Sequence, residues 1–159
     1  MKRLKSLSIF GICLLLLTGC RDSGQTDDLR QAQTQPDFYI PGTAEMMNSA
    51  QRYHIKLWFA AINENWELAD FELHELEEVF EKIEKYKADK SYIDLIPTIY
   101  PPIDLVEKSI EEQDPEKFKE NFMLLTNTCT SCHKKTDHPF ITIKIPESNP
   151  YSNQEFEIP

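Results

Sequence analysis

Apolar residues return every three or four positions in four stretches between Thr43 and Cys132, the spacing that turns one side of a helix toward a core. In the first stretch Met47, Ala50, His54, Leu57, Trp58 and Ala61 share a stripe. Pro41-Gly42-Thr43 supplies the turn before it, with Thr43 as N-cap and Glu45 in the first turn, where the helix dipole favours a carboxylate. A first helix is predicted to run to about Asn63. The second stretch is more regular: Ala69, Leu73, Leu76, Phe80 and Ile83 alternate in steps of four and three, and Glu72, Glu75, Glu77, Glu78, Glu81 and Glu84 read as its solvated face. Pro97, Pro101 and Pro102 interrupt helical structure after Lys87, in a segment predicted to cross one end of the fold before the third helix begins. Ile99, Ile103, Val106 and Ile110 keep helical spacing through that region, and Gln113 ends it. Asp114-Pro115 is a start signal, an N-cap followed by proline at the first helical position. Phe118, Phe122, Leu125, Cys129 and Cys132 then follow at i, i+4, i+7, i+11 and i+14, so two cysteines continue the apolar stripe of the fourth helix.

This pattern predicts an all-α fold, an antiparallel four-helix bundle over residues 42–137. Residues 138–159 depart from a minimal bundle. Phe140, Ile141, Ile143 and Ile145, followed by Pro146, suggest an extended C-terminal arm, too short to be a sheet alone and expected to lie over the helices. Residues 20–41 are polar and Gln-rich, and read as a flexible tether. No internal repeat is apparent.

Residues 1–19 change the picture. A basic start (Lys2, Arg3, Lys5), an apolar run from Leu7 to Leu17 and small residues before a cysteine form a secretory signal, too short for a permanent span. Leu17-Thr18-Gly19-Cys20 resembles the bacterial lipobox, which implies cleavage before Cys20 and acylation of that residue; a plain signal peptide or a short anchor helix is the alternative. Arg21 follows, rather than the aspartate that often retains a lipoprotein at the inner membrane. The periplasmic face of the outer membrane is therefore the expected location, ahead of the inner membrane. Of the four cysteines, Cys13 leaves with the signal and Cys20 takes lipid, so Cys129 and Cys132 remain with no cysteine left over to bridge them to.

Loss of the signal leaves 140 residues, one domain by length, and moves the formal net charge from −10 to −13. Such acidity excludes a nucleic-acid partner, which rewards clustered Lys and Arg. It also leaves the acyl chains alone to hold the protein at a membrane. On its own it marks a well-solvated surface; a basic patch on a redox partner would complement it.

The chemistry lies in Cys129-Thr130-Ser131-Cys132-His133, a C-x-x-C-H signature of covalent haem c attachment. Two thiols one helical turn apart can each add to one porphyrin vinyl group, and the adjacent histidine then reaches the iron as axial ligand. The rival readings are weaker. A thioredoxin-like dithiol opens a helix, where the dipole lowers the thiol pKa, whereas this motif closes one. A zinc site from Cys129, Cys132, His133 and His138 would ask the adjacent Cys132 and His133 to chelate one ion tetrahedrally.

With this motif at the end of a fourth helix, residues 43 to 137 resemble the cytochrome c-prime and cytochrome c-556 group of four-helix c-type cytochromes. His54-Ile55-Lys56-Leu57-Trp58-Phe59-Ala60, Asn65-Trp66 and the closing Asn149-Pro150-Tyr151-Ser152-Asn153-Gln154 look like a set of uncharacterised bacterial proteins of the same kind. The resemblance implies one covalent haem c with His133 as proximal ligand. In an up-down bundle the end of helix four lies beside the start of helix one, which makes Met47 the first choice for the distal ligand, with Met46 and His54 as alternatives. His54 sits about 10 Å farther along the helix and is otherwise a hydrogen-bonded core residue. His74 and His138 read as bystanders, and Arg52 as a surface residue that could also pair with a propionate.

The expected function is electron transfer by a lipid-anchored periplasmic monohaem cytochrome, a carrier rather than an enzyme. Its partners would be a redox protein, the membrane through the lipid alone and, in a homodimer, a second copy. Two alternatives stay open: a five-coordinate haem protein that binds small gases such as nitric oxide, and a lipoprotein scaffold without haem. Both ligation states occur in the group that the sequence resembles.

Overall fold

The computed structural model describes residues 39–158. The expected signal segment, the acylation site Cys20 and nearly all of the tether lie outside the described residues. One unit, from Ile40 onward, contains every element discussed below.

That unit is all-α. Its helices are α1 (Thr43–Ile62), α2 (Trp66–Tyr86), α3 (Tyr100–Glu111) and α4 (Pro115–Lys135), with a 3-10 helix over Ile93–Ile99 before α3. No strand occurs among the described residues, and none of their helices is long and apolar enough to cross a membrane. The closest packing is between α1 and α2 and between α3 and α4; α2 also meets α3, and α1 meets α4.

Local signals explain most of the boundaries. Asp114 accepts from the backbone N–H groups of Glu116 and Lys117 at 3.1 and 3.0 Å, the expected cap of α4. Asn65 caps α2 by accepting from the Leu68 N–H at 3.3 Å. Thr43 does not cap α1. The N-cap is Gly42, and the Thr43 hydroxyl is engaged with the Tyr92 hydroxyl at 2.5 Å, a tertiary bond that outcompetes the local one. The prolines interrupt less than their number implies. Pro97 lies within the 3-10 helix, and Pro101 and Pro102 occupy the first turn of α3, where a missing N–H breaks no helical bond. The links that follow α1, α3 and α4 pass through Glu64, Gln113 and Asp137, all in the left-handed region at φ of 57°, 52° and 59°.

The core follows the stripes with two shifts. On α2, α3 and α4 the expected Ala69, Leu73, Leu76, Phe80, Ile83, Ile103, Val106, Ile110, Phe118, Phe122 and Leu125 are all buried. On α1 the first buried residue is Met46 rather than Met47, which is half-buried, as is Trp58. On α2 Glu72 leaves the solvated face and is only 1% exposed, with Lys56 Nζ of α1 at 3.5 Å and Gln154 of the C-terminal arm hydrogen-bonded to it. An aromatic cluster joins α1, α2 and α4: Phe118 lies 5.5 Å from Phe122, with Trp58 at 5.0 Å from Phe122 and Trp66 at 6.5 Å from Phe118, measured between ring centres. Full burial of each such phenylalanine contributes roughly 1.5–3 kcal/mol.

After Asp137 the chain runs back along α4 without regular structure. Phe140 is 79% exposed, but Ile145 and Tyr151 pack against the core and Phe156 is buried beside Phe59, with ring centres 6.0 Å apart.

Candidate functional site

A cavity of about 550 Å³ lies where the start of α1, the 3-10 helix, the last turns of α4 and the arm converge. The walls from α1 and α4 follow from their helical stripes. The stripe of α1 continues one residue to the side of its buried row, which brings Met47 to the cavity while Met46 turns into the core and lines a smaller pocket with Tyr53 and Val79. The floor is apolar, formed by Ala50, Leu76, Phe80, Ile96 and Ile99. The stripe of α4 delivers Cys129, Cys132 and His133 from the other side, and the arm adds Ile141 and Ile143.

The motif is therefore brought together with Met47 and His54, both of which also line this cavity. Cys129 is half-buried and packs on the core; Cys132 and His133 are likewise half-buried. The cysteines are free thiols. Burial pushes the Cys129 thiol up to about 12, with the neighbouring Cys132 adding to the effect, and burial also raises Cys132. Both are therefore protonated at neutral pH, the opposite of the stabilised thiolate that a redox dithiol requires.

His133 is oriented through its ring. Nδ1 lies 3.3 Å from the Ile141 carbonyl, which accepts only from a protonated nitrogen; Nε2 is then the atom with a free lone pair. His54 has the reverse arrangement. Its Nε2 meets the Thr126 hydroxyl at 2.9 Å, its ring lies 4.4 Å from that of Phe122, and burial lowers its pKa to about 4. It is a neutral, hydrogen-bonded core histidine at one wall of the cavity.

Of the residues read as bystanders, His74 pairs with Asp70 on the surface of α2, and Arg52 is exposed over the Tyr53 ring. His138 belongs to the cavity wall, with Nδ1 turned to the Thr136 carbonyl. Among the described residues no three His, Cys, Asp or Glu side chains gather as a chelating group for a bare metal ion.

Several contributors were missed in the sequence. Thr126 sits four residues after Phe122 and three before Cys129, a position on the buried stripe that its polarity disguised. Tyr92 and Lys90 enter the cavity from the segment read only as a crossing, and no local signal announces them.

The chain matches no protein-family model, and neither a curated protein nor a solved structure matches it significantly.

Proposed function

We propose that the chain is a lipid-anchored monohaem c-type cytochrome of the periplasm, an antiparallel four-helix bundle that carries electrons. The observation behind this reading is the convergence of Cys129, Cys132 and His133 on one apolar cavity that Met47 also lines. Short links after α1 and α3 and the packing of α1 on α2 and α3 on α4 support the antiparallel arrangement.

The residues fit the group that their motif implies. The cavity lies within the roughly 300–1,000 Å³ range of cofactor sites and is mainly apolar, as a porphyrin face requires. Cys129 and Cys132 would hold the group by adding each S–H across a vinyl double bond, the hydrogen going to one carbon and the sulfur to the other. His133 would offer Nε2 to the iron, and Met47 its thioether from α1. Haem bound there supplies a one-electron iron couple, whose potential methionine ligation raises. The chain's own work is then to exclude water with the Leu76, Phe80, Ile96 and Ile99 floor and to fix the axial side chains. Acylation of Cys20 would keep the unit at the outer membrane, where its acidic surface would meet a basic redox partner.

Expression with a haem-maturation system, followed by denaturation, tests the reading. Haem should stay attached to the unfolded wild-type chain and be absent after Cys129→Ala plus Cys132→Ala. A wild-type chain that carries no covalent haem under those conditions overturns it.

A further inference from the structure

The arm meets the C-x-x-C-H motif at two points, His133 and Thr130, the second of them inside the motif. Helical threonines usually bond back to the carbonyl four residues earlier. In α4 Thr126 and Thr128 do so, to Phe122 and Leu124 at 2.8 and 2.9 Å, and Thr136 at its end bonds to Cys132 at 3.1 Å. Thr130 turns outward instead. Its hydroxyl donates to the Ile143 carbonyl at 3.1 Å and accepts from the Ile143 N–H at 3.0 Å, satisfying both backbone groups of one arm residue. Two residues earlier the arm presents the Ile141 carbonyl to His133 Nδ1. The left-handed Asp137 and the Ile141 N–H bond to the His138 carbonyl at 2.9 Å bring the chain to this position.

We infer that Thr130 is a positioning residue for His133: by clamping Ile143 it holds the Ile141 carbonyl against Nδ1, and so fixes the tautomer that leaves Nε2 free. The arm is thereby a strap that orients the motif's histidine, and Thr130 occupies one of the two motif positions that attachment chemistry leaves unspecified. The consequence for iron rests on the proposed haem function; the tautomer does not. A carbonyl that accepts from Nδ1–H gives the ring imidazolate character, strengthens its donation to iron and favours the ferric state.

The experiment follows the His133 ring in ¹⁵N-labelled full-length chain made without haem, with its signals assigned by loss in His133→Gln. Wild type and Thr130→Ser, which keeps the hydroxyl, should show the Nδ1-protonated form. Thr130→Val, and Ile143→Pro from the arm side, should shift the ring toward the Nε2-protonated form. In haem-loaded protein Thr130→Val should raise the reduction potential, with Thr130→Ser restoring it toward wild type. An unchanged tautomer in folded Thr130→Val or Ile143→Pro overturns the inference. If Thr130→Val fails to fold, Ile143→Pro against Thr130→Ser decides the same question. Failure to attach haem would sink the proposed function while leaving the tautomer result to judge the strap.

Discussion

His54 donates from Nε2 to the Thr126 hydroxyl at 2.9 Å, and Thr126 directs its own hydrogen to the Phe122 carbonyl at 2.8 Å. The hydroxyl has one hydrogen, so the chain of bonds fixes the histidine as the donor and ties α1 to α4 at the wall of the cavity.

This arrangement predicts acid sensitivity. Burial lowers the His54 pKa from 6.5 to about 4, so the unfolded chain takes up this proton first as pH falls. The neutral residue's contribution is complete above pH 6.5 and is lost between 6.5 and about 4, amounting to about 3 kcal/mol over that window. His54→Gln removes the titration. In urea unfolding of the haem-free chain at pH 7 and pH 4.5, the variant should gain on wild type at the lower pH by about 2–3 kcal/mol. A gap that is the same at both pH values would rule out a neutral buried His54.

The two methionines at the start of α1 should separate cleanly. Met46 is 6% exposed and belongs to the core, so Met46→Ala should cost about 2–5 kcal/mol in unfolding and leave the haem spectrum unchanged. Met47 is half-buried at the cavity, so Met47→Ala should cost less. If Met47 binds the iron, that variant loses the weak far-red band of ferric iron–methionine ligation. Loss of the band in Met46→Ala instead, or an unchanged band in Met47→Ala, would remove Met47 from the distal position.

Periodicity located the four helices because each is long and buries one stripe, and a stripe of residues such as Phe118, Phe122 and Leu125 has one energetic solution. It also carried the cysteines to the side of α4 that lines the cavity. What it missed depends on partners distant in the chain. Thr43 lost its capping role to Tyr92, forty-nine residues away, and Glu72 looked solvated because the groups beside it, Lys56 of α1 and Gln154 of the arm, lie far from it in the chain. The one-residue shift between Met46 and Met47 reflects the width of a helical face, which spacing leaves undetermined within one position. Thr130 was invisible for a related reason: its two bonds go to Ile143, and an arm without periodic structure announces no register.

Glu72 gives a final prediction, in which burial competes with a single cation. Burial raises its pKa, while Lys56 and Gln154 act in the opposite direction through hydrogen bonds and, for Lys56, charge. Its Oε2 atom has no hydrogen-bond partner. A raised folded pKa means that the native chain holds this proton more tightly. The stability from this proton is full below the ordinary glutamate range and is lost as pH rises through the folded value. Glu72→Gln should therefore equal or exceed wild type in stability at pH 7, an advantage that shrinks toward pH 4. Lys56→Met should do the reverse, costing about 1–3 kcal/mol at pH 7 because it leaves the carboxylate alone. Lys56 also lies 5.5 Å over the Tyr151 ring, so that variant should loosen the arm and speed its cleavage by protease. In the double variant most of the Lys56→Met cost should vanish, a coupling of at least about 0.5 kcal/mol. Strictly additive effects would mean that Lys56 does not stabilise the buried carboxylate, and that the arm covers Glu72 without help from the pair.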